Sequence, residues 1–168
     1  MGVATPYNQP GFGRVDPGVL DGTNKNSIAR GSLFAYSKSY GIYHCPGDHR
    51  TAGGEPILRS YSMNNWMNGE PFASAANDLD TGHRLFKKDI SIPQPSQLYV
   101  FLDEDDSTIN DGMFVVYMNP VQGLQDRPAH RHQSGYALVF ADGHAEVFRF
   151  SDEEKDLAKL RTVATVAQ

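Results

Sequence analysis

The stretch His130-Arg131-His132-Gln133-Ser134-Gly135-Tyr136-Ala137-Leu138-Val139-Phe140-Ala141-Asp142-Gly143-His144-Ala145-Glu146-Val147-Phe148-Arg149-Phe150 decides the fold. Two apolar runs, Tyr136 to Phe140 and Ala145 to Phe150, flank Ala141-Asp142-Gly143-His144. An Asp-Gly pair between two such runs is a strong hairpin signal. A type I′ turn needs positive φ at both central residues, and Asp-Gly supplies it. The pattern therefore predicts two antiparallel strands joined at Asp142-Gly143. It also gathers imidazoles and a carboxylate at the strand ends.

Working outward, Ser151 and Glu154 have capping-box spacing. Acidic residues follow in the first turn, and Lys159 and Arg161 lie in the last, as a helix dipole favours. The expected helix buries Leu157 and Leu160. Upstream, Gln97 to Leu102 is apolar on both faces, which fits a central buried strand. Met113 to Met118 supplies another. The fold class is α+β: an antiparallel sheet of about four strands packed on short helices, rich in loops.

The N-terminal half is less regular. Residues 1–23 are rich in Gly, Pro and Asn and read as an extended arm. Asn24 to Ser37 reads as a short helix, weakened by Gly31. Ile42-Tyr43-His44 reads as a strand entering the turn Pro46-Gly47-Asp48. From His49 to Asp80 no period is clean. Tyr61, Met63, Trp66 and Met67 could line an apolar groove or simply cover a small core. The expected organisation is an arm (1–23), one globular domain (24–161) and a C-terminal tail (162–168).

Composition excludes several classes. The chain has 168 residues and a formal net charge of -5, so no basic field for nucleic acid is expected. No apolar run approaches the roughly 18 residues of a membrane span. No secretory signal pattern opens the chain. The lone Cys45 excludes an internal disulfide and a Cys-rich zinc framework. His49 could reach Cys45 across a turn as a Cys-His pair, against the simpler reading of an unreactive Cys.

Two groups of residues could carry chemistry. The first is Asp103-Glu104-Asp105-Asp106-Ser107, followed by Asn110-Asp111-Gly112. Calcium takes six to eight hard oxygens, and Asp103, Asp105, Asp106, Ser107, Asn110 and Asp111 are its candidate ligands. Position 114 is Phe, so this is not an EF-hand, and the loop reads equally as a solvated polar turn. The second group is the histidines. His130 and His132, two apart, would share one strand face and could bind a transition metal or act as bases. Asp142 is a third candidate, although turn geometry alone accounts for it.

Several fragments occur in an order that resembles a known family. They are Gly31-Ser32-Leu33-Phe34, Tyr43-His44-Cys45-Pro46-Gly47-Asp48, Arg59-Ser60-Tyr61-Ser62-Met63-Asn64, Phe101-Leu102-Asp103-Glu104, Ser107-Thr108-Ile109-Asn110-Asp111-Gly112, and His132 through Asp142-Gly143-His144. Together they resemble the soluble C-terminal head of type II secretion pseudopilin-like proteins of the prepilin H-x9-DG kind. The family begins with a Gly-Phe-Thr-Leu-x-Glu cleavage motif and a long apolar helix. Gly11-Phe12-Gly13-Arg14 departs from that motif, and the resemblance covers most of residues 24–150.

The resemblance implies a pilin-type head, a long-range pairing of His132 with Asp142, and calcium in a loop near the end of the sheet. It implies other pseudopilin or secretion subunits as partners and a periplasmic or extracellular location. The expected function is a calcium-binding, non-catalytic head. The alternative is a small calcium-dependent hydrolase acting on an ester or lactone. There a cation would activate water, and His132, His130 or Asp142 would move protons.

Overall fold

The computed structural model describes residues 21–67, 82–109, 112–119, 121 and 123–168. The chain divides into two compact units, Met1–Tyr61 and Ser62–Gln168. The expected arm falls mostly outside the described residues. Of it, Asp21–Thr23 forms one 3-10 turn.

The first unit is built from short pieces. The helix expected over Asn24 to Ser37 is interrupted at Gly31 into α1 (Lys25–Ala29) and α2 (Phe34–Ser37). Asn24 caps α1, its side-chain oxygen accepting the Asn26 N–H at 3.0 Å. Lys38 ends α2 in the left-handed region, at φ 48°. The strand expected at Ile42-Tyr43-His44 is instead a 3-10 turn, Gly41–Tyr43. Two-residue strands β1 (Thr51–Ala52) and β2 (Glu55–Pro56) pair antiparallel through Gly53-Gly54. Both glycines have positive φ, as a type I′ turn requires.

A buried carboxylate organises this unit. Asp48 accepts both Nε and Nη2 of Arg50, at 2.9 and 2.6 Å, and the Ser60 hydroxyl at 2.6 Å. Burial pushes its pKa up, but those donors outweigh it and hold the acid well below the usual carboxylate range. Ser60 Oγ in turn accepts the N–H of buried Cys45 at 3.0 Å.

The main sheet has five strands in the order β5-β3-β4-β6-β7. They are β3 (Tyr61–Asn64), β4 (Tyr99–Asp103), β5 (Met113–Phe114), β6 (Gly135–Phe140) and β7 (Ala145–Arg149). The α+β class stands. The sheet is mixed rather than purely antiparallel, because β3 and β5 run parallel. Only Met113 and Phe114 of the expected Met113–Met118 strand pair as such. Beyond them the backbone turns to side chains: Val115 N–H goes to Asp126 and Val116 N–H to Asn65.

The β6–β7 hairpin forms as expected, with Ala137 opposite Val147. Its turn is different. Only Gly143 takes positive φ, at 92°. The Gly143 N–H donates to Phe140 C=O at 3.0 Å, and the Phe140 N–H donates to His144 C=O at 2.9 Å. That is a three-residue loop closed by a left-handed glycine, not a type I′ turn.

Helix α3 (Glu153–Ala164) packs on the sheet, burying Leu157, Leu160 and Ala164 against Tyr99, Leu102, Tyr136 and Leu138. Its cap is Asp152, which accepts the Lys155 N–H at 2.9 Å, rather than Ser151. The Ser151 N–H serves buried Asp156 instead, at 2.9 Å, beside the Tyr136 hydroxyl at 3.1 Å. The helix continues to Ala164, and the residues beyond it pair: Arg84 N–H donates to Val166 C=O at 2.9 Å. Trp66 and Met67 are core residues of this unit, not a groove. Among the described residues no helix is long and apolar enough to cross a membrane.

Candidate functional site

The site lies where β4 ends. Past Asp103 the chain stays tied to residues 127–129. Ala129 N–H donates to Asp103 C=O and Asp105 N–H to Arg127 C=O, both at 2.8 Å, and Glu104 bridges Pro128. That pairing carries His130-Arg131-His132 alongside the acidic loop. The expected strand through His130 and His132 is not formed, since β6 begins only at Gly135.

Arg131 is the centre of the arrangement. One guanidinium nitrogen meets Asp103 Oδ1 and also donates to Glu104 C=O at 3.1 Å. The other meets Asp106 Oδ1. The Asp103 side chain is 0% exposed and that of Arg131 is 11% exposed, so this pair works largely out of water. The second Asp103 oxygen faces His132 Nε2 at 3.1 Å. One buried carboxylate thus serves a guanidinium and an imidazole.

His132 is aimed by a strained turn. Gln133 and Ser134 both take positive φ, 52° and 61°, without being glycine. Such backbone costs about 1–3 kcal/mol per residue and persists only where surrounding contacts enforce it. Here the His132 N–H is held by Gly135 C=O at 3.1 Å, and the Phe150 N–H by Ser134 C=O at 2.9 Å. Gly135 itself is obligatory, since a Cβ there would stand 2.6 Å from Phe148 O.

The other candidates are distributed elsewhere. His130 is exposed and its ring packs on Phe150 at 3.9 Å. Asp142 lies at the far end of β6 from His132, and its partner is His144, with Nδ1 and Oδ1 2.5 Å apart. His49 is exposed while Cys45 is buried, which gives no support for a poised Cys-His pair.

Three described carboxylates of the acidic loop are turned to other partners. Asp103 is turned inward to Arg131 and His132, and Asp106 is held by Arg131. Asp105 Oδ1 accepts the Ser107 N–H at 2.9 Å and its hydroxyl at 2.6 Å, closing a local turn. A hard cation needs six or more converging oxygens. These three carboxylates face nitrogen and hydroxyl donors instead. Asn110 and Asp111 lie outside the described residues.

Arg131 is not among the candidates the sequence offers, although it sits between His130 and His132. The available signal was charge: an arginine facing the densest acidic run of the chain is a natural counter-ion. Comparison with family models, with curated proteins and with solved structures gives no match.

Proposed function

We propose that this chain is a non-catalytic, pseudopilin-like head module, in which Arg131 supplies the positive charge that the acidic loop requires. The observation carrying this reading is the Arg131 bridge between buried Asp103 and half-exposed Asp106. A guanidinium fork fixes two carboxylates and a carbonyl at once, so the loop has no need of an added cation to relieve its repulsion. Such a network stiffens a presenting loop. Three of the ordered fragments of the resemblance, Arg59 to Asn64, Phe101 to Glu104 and His132 to His144, carry strands β3, β4 and β6 of the main sheet, which supports a head that meets other subunits of a secretion or pilus-type assembly. Calcium is left out of this reading because Asp103, Asp105 and Asp106 already face donors of this chain.

The test is thermal unfolding of the whole chain with EDTA and with millimolar calcium. The expected result is the same melting temperature in both. A rise specific to calcium would overturn the role given to Arg131.

A second reading, an ester or lactone hydrolase, is favoured by one observation: His132 Nε2 stands 3.1 Å from a fully buried carboxylate. A carboxylate that orients an imidazole is the base-and-orienter half of a hydrolytic site. Turnover of an aryl ester or lactone, lost in His132→Ala with the fold retained, would establish it. No turnover across such a panel removes it.

A further inference from the structure

The tip of the β6–β7 hairpin holds a second ionic group, at the opposite end of β6 from the first. The His144 ring stacks on Phe140, with centroids 4.4 Å apart and planes inclined by 6°. Its Nδ1 lies 2.5 Å from Asp142 Oδ1, and its Nε2 lies 3.4 Å from Glu146 Oε1. Each ring nitrogen therefore faces a different carboxylate. The backbone repeats the contact, with the His144 N–H donating to Asp142 Oδ1 at 3.1 Å.

We propose that this turn is a protonation-operated clasp: the imidazolium of His144 holds Asp142 and Glu146 together, and the neutral ring holds Asp142 alone. The reason is the proton count. An imidazolium has two N–H donors and can serve both acids. A neutral imidazole has one N–H and one lone pair. The shorter contact, to Asp142, keeps the N–H. Nε2 then presents its lone pair to Glu146, whose carboxylate is repelled and released to solvent. The tip changes from a closed group of net charge -1 to an open one of net charge -2.

The segment hydrogen-bonded to this turn adds no charge. Ala141 N–H donates to Leu98 C=O at 2.9 Å and Asp142 N–H to Pro95 C=O at 3.1 Å. That neighbouring segment reads Pro95-Ser96-Gln97-Leu98 and carries no ionisable side chain. The imidazole is held above its ordinary pKa, first by the hydrogen bond to Asp142, with burial opposing and Glu146 assisting. Its folded value being raised, the contribution is complete below the ordinary imidazole pKa. It is lost as pH rises through the folded value.

The experiment is an NMR titration of the full chain, following the ring and backbone signals of His144. In wild type the midpoint should lie above the ordinary value of about 6.5. Glu146→Gln should lower it, and Asp142→Asn should lower it further. Ring nitrogen shifts at high pH should report the Nδ1–H tautomer. Intact cross-strand signals from Ala137 and Val147 establish that both variants keep the hairpin. A midpoint indifferent to Glu146→Gln overturns the clasp, and so does a dominant Nε2–H tautomer in the neutral ring.

Discussion

Two carboxylate–imidazole pairs stand at opposite ends of β6, and they are built differently. Asp142 and His144 are two residues apart, and each side chain is 36% exposed. Asp103 and His132 are far apart in sequence, the acid is fully buried, and Arg131 shares it. The first pair follows from local chain geometry and sits in water, where an ion pair contributes little. The second exists only because β4 and residues 127–129 are tied together, and it is largely shielded from solvent screening. The same two side-chain types thus form an exposed local pair at one end and a buried long-range one at the other.

The largest effect should come from breaking the buried pair. Asp103→Ala leaves Arg131 without its buried counter-charge and is expected to cost about 3–5 kcal/mol in urea unfolding. Arg131→Met should cost less, about 2 kcal/mol, because His132 remains beside Asp103 and Asp106 can turn to water. A loss below about 0.5 kcal/mol in either variant would remove the distinction between the two ends, since that is the range of ordinary surface substitutions. Ser134→Gly should act in the opposite sense. It relieves a left-handed residue and should stabilise the chain by about 1 kcal/mol, visible as a raised denaturation midpoint.

The smallest effect belongs to the exposed pair. Asp142→Asn should leave the denaturation midpoint at neutral pH unchanged within error. Its signature is in pH dependence. The backbone and side chain of His144 hold Asp142 below its usual pKa, so its contribution is present above the ordinary carboxylate range and lost as pH falls through the folded value. His144, with its raised pKa, loses its share as pH rises. The pair should therefore be tightest at mildly acid pH and weaken on both sides. Amide hydrogen exchange at Gly143 and His144 from about pH 2 to 9, corrected for intrinsic rates, is the measurement, since the acid-side loss falls below the ordinary carboxylate value of about 3.9. A monotonic profile would contradict this.

The hairpin was legible because two apolar runs flank Asp142-Gly143, and in the structure Tyr136, Leu138 and Phe140 alternate inward while Val139 and Val147 face out. Strand β4 and helix α3 were legible for similar reasons of apolar run and charge placement. Strand β3 was not, because it inverts the usual rule. Ser62 and Asn64 are its buried positions, and Asn64 is accommodated by bonding Tyr99 C=O at 2.9 Å and Ala164 C=O at 2.8 Å. Those partners lie 35 and 100 residues away. No local pattern announces such a residue. The site was half legible for a related reason. Its residues were all in the candidate runs, but which acid meets which histidine depends on strand pairing. The turn at Gln133-Ser134 was hidden as well, since neither residue signals positive φ.

Strand β6 has a consequence for how this hairpin can vary. Six residues at about 3.3 Å each make a bar of about 20 Å between the His132 turn and the Asp142 turn. The nine-residue interval between those two side chains is then a ruler of strand length, not the trace of a chemical bond. Side chains alternate across the strand, so adding or deleting one residue would turn Tyr136, Leu138 and Phe140 out of the core. Length can change here only in steps of two.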